Sequence, residues 1–202
     1  MRKAIRQVFY KKEAQIIKAL NNYPQQNNFF EMMRFDFIID DKLKIYLMEA
    51  NMSPNLSSAH FKENRLLYEQ VVFNILNLVG VGRSIHSTSL KSTSTDEDDM
   101  LVADKDIQVF PEHCNTNCPD MNNCFKNECQ LCKICLNESI TKTLKYAYLE
   151  HNRRKDCRRV IPQAIKFRDA HEASTMDSLS PQNTLMTEWF RGKCLIDKSF
   201  CQ

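Results

Sequence analysis

Residues 30–54 read FEMMRFDFIIDDKLKIYLMEANMSP, and this stretch decides how the first part of the 202-residue chain folds. Apolar and polar side chains alternate on both sides of Asp41-Lys42, and a period of two is typical of β-strands. We predict two strands, Phe30–Ile39 and Leu43–Asn51, joined through a two-residue turn into an antiparallel hairpin.

Three polar residues of this hairpin fall where they can share one face. Glu49 and Asn51 are two residues apart on the second strand, so their side chains point the same way. A two-residue turn places Asp36 opposite Leu47, diagonal to Glu49 and within reach of the same ligand. Two carboxylates and an amide oxygen on one face would make an oxygen site of the kind that Mg²⁺ prefers. The alternatives are that these acids simply face water, or that a slip of one residue moves Asp36 to the other face.

The segments on either side of the hairpin have the pattern of amphipathic helices. Residues 2–20 and 63–78 carry apolar side chains at helical spacing, and residues 84–106 are rich in Ser and Thr and then acidic, as solvated linkers are. The predicted organisation is α+β, with a hairpin and flanking helices over residues 1–83, a linker over 84–110, a cysteine-rich insertion over 111–140 and a basic helical segment over 141–202.

The overall composition excludes several classes of protein. The formal charge of +3 is too small to indicate a nucleic-acid-binding protein. No stretch approaches the roughly 20 apolar residues of a transmembrane helix, and the basic N-terminus lacks the apolar core of a signal peptide. We therefore expect no nucleic-acid partner and no membrane span in this chain.

Six of the nine cysteines crowd into one short segment, at Cys114, Cys118, Cys124, Cys129, Cys132 and Cys135. Their irregular spacing fits a disulfide knot, a site where four thiolates, joined or not by His113, bind tetrahedral Zn²⁺, or a set of free thiols. An iron–sulfur cluster is disfavoured because Ser139 stands where the next cysteine would be expected. Cys194 and Cys201 either close a small loop or are two unrelated thiols.

The location of the protein depends on the state of these cysteines. Disulfides would require an oxidising compartment. Asn137-Glu138-Ser139 and Asn55-Leu56-Ser57 match the pattern of N-glycosylation acceptors, which favours a lumenal or secretory location.

The hairpin resembles the C-terminal signature of the tubulin–tyrosine ligase-like family, whose members are ATP-grasp ligases. The matching elements are Phe30-Glu31, Phe35-Asp36 and the sequence EANMSP at residues 49–54. EHNRRKDCRRVIP and LMTEWF, within residues 149–190, are similar to later family segments, though more loosely. The resemblance implies a partial ATP-grasp fold and, within the family, the tubulin polyglutamylase branch.

The resemblance also implies a function. It indicates an ATP- and Mg²⁺-dependent ligase of the cytoplasm and cytoskeleton that adds glutamate, rather than glycine or tyrosine, to the acidic C-terminal tails of tubulin in microtubules. Asp36, Glu49 and Asn51 would be its Mg²⁺ ligands next to the phosphates of ATP, and therefore both its catalytic and its cofactor-binding residues.

Two departures from the family pattern bear on this reading. Arg34 stands where the family usually has glycine, and its guanidinium would either crowd the backbone or face solvent. The nucleotide-clamping lysines of the family belong upstream of a segment like residues 1–20, so we expect this chain to be an incomplete, C-terminal portion of a ligase domain. The alternatives are a catalytically inactive module that binds acidic tubulin tails, or a lumenal disulfide-rich domain.

Residues 142–168 form a basic segment, with nine lysines and arginines against two acidic residues. Charge runs are most often solvated faces, but a surface of this sign would also attract an acidic polypeptide. Basic residues near the active site bind the tail in the family that the hairpin resembles. The candidates here are Arg153, Arg154, Arg158 and Arg159.

Overall fold

The computed structural model describes residues 1–23, 29–59, 61–81, 101–172 and 180–201. They form two compact units, Met1–Val72 and Phe73–Gln202. The boundary falls inside a helix rather than in a loop, because Val72 and Phe73 both belong to the helix Arg65–Val79. Residues 84–100 of the predicted linker lie outside the described ranges.

The N-terminal unit holds helix α1 (Arg2–Leu20), strands β1 (Met33–Ile39) and β2 (Ile45–Met52), and the first part of helix α2 (Arg65–Val79). Both predicted helices and both predicted strands are present, with bounds that differ by a few residues. The two strands pair antiparallel as a hairpin. Aromatic packing joins α1 to β1, since the ring centroids of Phe9 and Phe35 lie 6.1 Å apart.

The turn of the hairpin is one residue longer than predicted. Leu43 adopts a left-handed conformation with φ of 59°, and the Asp40 amide nitrogen donates to the Lys44 carbonyl oxygen at 3.0 Å. Such a conformation is disfavoured for a residue with a Cβ. The Asp40 carboxylate supports it by accepting hydrogen bonds from the backbone nitrogens of Lys42 and Lys44, at 3.0 and 2.8 Å.

A β-bulge then shifts the register a second time. Phe37 pairs with Leu47 and Asp36 pairs with Glu49, so that Met48 of β2 has no partner on β1. The predicted pairing of Asp36 with Leu47 is therefore wrong, because the turn and the bulge each insert one residue. With the longer turn alone, Asp36 would lie opposite Met48 and face away from Glu49. The bulge returns the two carboxylates to one face and brings them directly opposite each other.

The N-terminal unit has no buried side chain among its described residues. Large apolar side chains on both strands, in the turn between them and on α2 stay exposed, among them Ile38, Ile39, Leu43, Met48, Met52, Leu66 and Leu67. Helices and sheets owe most of their stability in proteins to the apolar face that they bury. This unit therefore has little stability of its own to draw on.

In its described ranges the C-terminal unit holds the helices α3 (Asp104–Ile107), α4 (Pro111–Asn117), α5 (Glu138–Arg153) and α6 (Pro181–Ile196), after the end of α2. The two longer ones begin at side-chain caps: the Asn137 Oδ1 accepts from the Ile140 nitrogen, and the Ser180 Oγ accepts from the Asn183 nitrogen. Short 3₁₀ turns complete the described structure, at Lys62–Asn64, Met121–Asn123, Asn127–Cys129, Lys133–Cys135, Phe167–His171 and Lys198–Cys201.

Trp189 on α6 is the centre of the C-terminal core. Its side chain is fully buried, packs edge-on against Phe190 and Phe200, and donates from Nε1 to the Ile107 carbonyl oxygen at 2.8 Å. Gly192, one turn along α6, allows close packing, because a Cβ there would lie 2.6 Å from the Cβ of Val109. The other buried apolar residues of this core are Val102, Ile107, Val109, Leu131, Leu144, Leu149, Ala170, Phe190, Cys194 and Phe200.

This core corrects the predicted linker over its last residues. Val102, Ile107 and Val109 lie within the range 84–110 that the composition assigns to a solvated linker, yet all three are almost completely buried. The acidic run before them dominates the average composition, while three apolar residues are enough to anchor the segment on α6.

Disulfides hold the cysteine-rich segment together. Cys114 pairs with Cys132, Cys118 with Cys129, and Cys124 with Cys135, and a fourth disulfide joins Cys194 to Cys201. The buried cysteines Cys118, Cys129 and Cys132 form a small cluster with Cys114 and Cys135 packed against it, while Leu131 of the same segment belongs to the core around Trp189. Of the described cysteines, Cys157 keeps a free thiol. Over the described residues, no helix has the length and apolar character that crossing a membrane demands.

Candidate functional site

Asp36, Glu49 and Asn51, the three residues that the sequence proposes as metal ligands, come together on one face of the hairpin. The Asn51 Nδ2 donates to the Glu49 Oε1 at 2.8 Å and to the Asp36 Oδ2 at 3.3 Å. One amide group thus lies between both carboxylates. The strand register explains the convergence, because Asp36 and Glu49 are a directly opposed pair and Asn51 is two residues further along β2.

A fourth side chain, which the sequence analysis leaves without a role, completes this group. Arg34 lies opposite Asn51 and two residues before Asp36, and therefore on the same face. Its guanidinium binds Asp36 through two parallel hydrogen bonds, Nε to Oδ1 at 2.9 Å and Nη2 to Oδ2 at 3.0 Å. The spacing of two along a strand is the signal in the sequence that predicts this contact. We call the group of Arg34, Asp36, Glu49 and Asn51 the carboxylate face.

The electrostatics of the carboxylate face are set by one cation between two acids. The hydrogen bonds from Arg34 hold the pKa of the Asp36 carboxyl below its usual value, so Asp36 is ionised at neutral pH. The face holds two acidic side chains and one guanidinium, so Arg34 balances one of the two acids. Arg34 and Asp36 are both partly open to solvent, with side-chain exposures of 51% and 35%. A cation from solution can therefore reach the site.

The carboxylate face fits a hard divalent cation by its donor atoms. Asp36 and Glu49 offer carboxylate oxygens, and the Asn51 amide offers a third oxygen, the set that Mg²⁺ favours. In the structure, however, the amide nitrogen of Asn51 faces the acids, and Arg34 occupies both oxygens of Asp36. Binding of a cation by all three residues would require the amide to turn over and Arg34 to release Asp36.

The four candidate arginines of the basic segment have different surroundings. Arg154 donates to the carbonyl oxygens of His151 and Ser199. The Asn77 Nδ2 donates to the carbonyl oxygen of Arg153 at 2.6 Å. The side chain of Arg158 is exposed.

Arg159 is the most deeply engaged of the four. Its Nε and Nη2 donate to the carbonyl oxygens of Pro162 and Phe200, at 3.0 and 3.2 Å. The guanidinium also lies 3.5 Å from the centre of the Phe190 ring. Burial lowers the pKa of Arg159 to about 10, and the charge of Arg154 adds to this effect. The geometry gives Arg154 and Arg159 structural contacts within the C-terminal unit, which leaves Arg158 as the most accessible candidate for a tail.

Two further basic groups are internal to the same unit. Lys193 is buried, donates from Nζ to the Asp106 carbonyl oxygen at 2.8 Å, and lies 5.2 Å from the centre of the Phe200 ring. His151 stacks on Phe200 with 3.6 Å between ring centroids. Burial, with nearby Arg154 as the next cause, lowers the pKa of His151 to about 4, so the imidazole is neutral at pH 7. Arg154, Arg159 and Lys193 therefore bind backbone carbonyl oxygens, and Arg159 and Lys193 also contact aromatic rings.

The six cysteines of the cluster have the disulfide-bonded form. All six sulfurs are paired as disulfides, and a disulfide sulfur is not the thiolate that Zn²⁺ needs. No group of three or more His, Cys, Asp and Glu side chains suited to a metal ion occurs among the residues that the structure describes. The Zn²⁺ alternative is thus incompatible with the oxidised state seen here.

Comparison with known proteins places the hairpin in a family. Residues 1–88, which include the whole carboxylate face, match the tubulin-tyrosine ligase family. The chain is 36% identical over 204 residues to a protein of Caenorhabditis elegans named probable tubulin polyglutamylase ttll-15. That alignment covers all of this chain but 38% of the relative, so the chain spans well under half the length of the protein it matches. No solved structure was found to match the chain.

Proposed function

Since residues 1–88 of this chain match the tubulin-tyrosine ligase family, we propose that it is part of an ATP- and Mg²⁺-dependent ligase that adds glutamate to tubulin C-terminal tails. The observation that carries the proposal is the convergence of Asp36, Glu49 and Asn51 on one face of the hairpin. Glutamate as the donor and tubulin as the acceptor rest on the name of the relative. On this proposal the protein acts in the cytoplasm, on the cytoskeleton.

The carboxylate face would bind the metal. Asp36 and Glu49 would hold Mg²⁺ through their carboxylate oxygens and Asn51 through its amide oxygen. When bound, Mg²⁺ would offset negative charge on the phosphate oxygens of ATP. The hairpin itself contributes position, because the bulge at Met48 fixes which residues of β2 face Asp36.

The exposed apolar surface of the N-terminal unit supports the view that it works within a larger domain. A unit without one buried side chain among its described residues cannot offset the entropy lost on ordering the chain. The relative extends well beyond the part that aligns with this chain. We therefore assign ligase activity to the whole protein rather than to residues 1–202.

The test is to replace Glu49 by Gln in the full-length protein and to measure incorporation of radiolabelled glutamate into tubulin. We expect Glu49→Gln to reduce the rate by about 100-fold or more, because a neutral amide replaces a metal-binding carboxylate. The matched control is Asp41→Asn, which removes an exposed carboxylate from the turn of the same hairpin and should leave the rate unchanged. A Glu49→Gln enzyme with wild-type activity would remove Glu49 from the site.

The Arg34–Asp36 ion pair favours a second candidate function, a catalytically inactive module that binds acidic tails. In this reading the guanidinium takes the place of the metal ion at Asp36. The two candidates give opposite results in a direct metal-binding experiment on the full-length protein. Saturable binding of Mn²⁺, a common substitute for Mg²⁺, that is lost in Glu49→Gln supports the ligase, and its absence in the wild-type protein supports the inactive module.

A further inference from the structure

The cysteine-rich segment depends on its disulfides for its fold. Its 3₁₀ turns have three residues each, and its own buried cluster consists of cysteine side chains. Met121 and Phe125 are 72% and 80% exposed, and Leu131 is the one buried apolar side chain other than cysteine between Cys114 and Cys135, where it packs in the core around Trp189. With the three disulfides reduced, Leu131 would be the one fully buried apolar anchor left to these turns. Such frameworks persist in the secretory pathway and outside the cell.

Directly after the last cysteine of this segment, the chain presents an asparagine with a free amide nitrogen. Asn137, two residues after Cys135, starts the triplet Asn137-Glu138-Ser139, and all three residues are exposed. The Asn137 Oδ1 caps α5 by accepting from the Ile140 nitrogen at 2.8 Å. Its Nδ2 has no hydrogen-bond partner within the described parts of the chain.

From these two observations we infer that Asn137 carries an N-linked glycan and that the C-terminal unit matures in an oxidising, secretory compartment. The donor would be a lipid-linked oligosaccharide. A bond forms between the Asn137 Nδ2 and the first sugar carbon, the bond from that carbon to the lipid pyrophosphate breaks, and the amide loses one proton. The glycan leaves Oδ1 free to keep its bond to the Ile140 nitrogen, so modification and helix capping are compatible.

The other two asparagine triplets of this kind in the described structure differ from Asn137. Asn51-Met52-Ser53 precedes a proline, and the Asn51 Nδ2 is already bound to Glu49 and Asp36. Asn55-Leu56-Ser57 begins with an exposed residue whose Oδ1 accepts from the Ser57 nitrogen at 2.8 Å. Asn55 is therefore the competing acceptor. It lies in the N-terminal unit, whereas Asn137 lies next to the disulfides of the C-terminal unit.

The inference goes beyond the proposed ligase and does not depend on it, since it concerns the C-terminal unit and a different chemistry. Both can be tested on the same full-length protein, with separate readouts. A glycan at Asn137 would be incompatible with the cytoplasmic location and the tubulin acceptor of that proposal, while the carboxylate face could bind a metal ion in either compartment.

The experiment expresses the full-length protein, with its natural N-terminus, in a eukaryotic cell line and treats it with peptide-N-glycosidase. We expect faster migration on a gel after treatment, and mass spectrometry should find Asn137 converted to aspartate. Ser139→Ala should abolish this shift, while Ser139→Thr, which keeps the acceptor pattern, should retain it. Both variants keep the Asn137 cap, so neither disturbs the start of α5.

Three results would overturn the inference. They are no change in migration of the wild-type protein, an unmodified Asn137 peptide, or a shift that persists in Ser139→Ala and disappears in Asn55→Gln. Labelling of the cysteines of residues 114–135 by iodoacetamide before reduction would also contradict it. The activity assay on Glu49→Gln is independent of all of these, so failure of the ligase proposal would be recognised separately.

Discussion

Asn51 links the carboxylate face because its single amide nitrogen reaches both acids. Arg34 adds a cation at the outer side of Asp36, and the two contacts together keep the carboxylate in one orientation. A guanidinium is a rigid, two-pronged donor, whereas Mg²⁺ is a compact ion that needs oxygen ligands from several directions. Arg34 and a metal ion therefore compete for the same oxygens.

Replacing Arg34 by Gly, the residue usual at this position in the family, should strengthen metal binding. Loss of the guanidinium frees both oxygens of Asp36, and for a solvent-exposed pair we expect a gain of roughly two- to fivefold in affinity. The measurement is a titration of the full-length protein with Mn²⁺, followed by electron paramagnetic resonance. Arg34→Lys is the control, since it keeps the charge but loses the two-pronged contact, and should fall between the two. Equal affinity in all three proteins would show that Asp36 does not bind the ion.

His151 should make the C-terminal unit less stable in acid. Its pKa is about 4 in the folded protein and 6.5 as a free side chain, so the unfolded chain binds more protons between these values. The stability contributed by the neutral ring is complete above about pH 6.5 and is lost as the pH falls towards 4. Between about pH 7 and pH 5 we expect the free energy of unfolding to drop by about 2 kcal/mol from this group.

Urea denaturation at the two pH values measures this loss. His151→Phe keeps a ring next to Phe200 and cannot take up a proton, so its stability should change less over the same interval. The charged groups around the imidazole are Arg154, Arg159, Lys193 and Asp197. An equal pH dependence in His151→Phe would assign the loss to another group.

The hairpin depends on two irregular positions that no alternation of residues predicts. A left-handed residue in the turn and an unpaired residue in β2 each change the register by one. Periodicity predicts that the three polar residues share a face but not how they pair, because it leaves the geometry of the loop open. The contact of Arg34 with Asp36, by contrast, follows from their spacing of two residues on one strand.

Leu43 offers a test of the turn. It is 80% exposed and has φ of 59°, so Gly at this position removes an unfavourable conformation and loses little burial. We expect Leu43→Gly to raise the free energy of unfolding of the N-terminal unit by about 1 kcal/mol in the full-length protein. The neighbouring Lys44→Gly should lower it instead, because glycine only adds freedom to the unfolded chain there. Hydrogen exchange of the hairpin amides would measure both changes, and a loss of protection in Leu43→Gly would contradict the proposed geometry of the turn.

The two compact units differ in what holds them. The C-terminal unit has an apolar core around Trp189 and four disulfides, while the N-terminal unit leaves its apolar faces in solvent. The charge of the sequence does not reveal which unit has a core, or which charged side chains are buried in it. The run of basic residues 142–168 suggests one charged surface, but the side chains of Arg154 and Arg159 bind carbonyl oxygens inside the C-terminal unit.

Arg158 and Arg159 are adjacent and should respond oppositely to replacement. Arg158→Ala should weaken binding of a tubulin tail peptide, and the difference in affinity from the wild type should become smaller as the salt concentration rises. The same change should alter the free energy of unfolding by less than about 0.5 kcal/mol. Arg159→Ala should lower the free energy of unfolding by about 2 kcal/mol, because two hydrogen bonds to carbonyl oxygens and a ring contact are lost. Peptide titration and urea denaturation separate the two effects. A stable Arg159→Ala protein with weaker peptide binding would return Arg159 to the proposed tail-binding surface.

The sequence predicts helices, strands and the convergence of polar residues well, because these follow from periodic patterns. It predicts the extent of the linker poorly, because Val102, Ile107 and Val109 are too few to alter the composition of their segment. The spacing of the cysteines does not predict whether they are oxidised or which of them pair. Pairing of Cys114 with Cys132, for example, depends on how the chain between them turns.

The bulge at Met48 and the length of the turn together decide whether Asp36 and Glu49 lie on the same face of the hairpin. Compared with a hairpin that has a two-residue turn and no bulge, the longer turn and the bulge together shift the pairing by two residues. A shift of two keeps Asp36 and Glu49 on the same face of the sheet. A natural variant that gains or loses one residue between these acids would keep every proposed ligand in its sequence, yet a slip of the strand pairing by one residue would separate them by the thickness of the sheet. Such a variant can retain the same chemistry only if the turn or a bulge absorbs the change, as both do here.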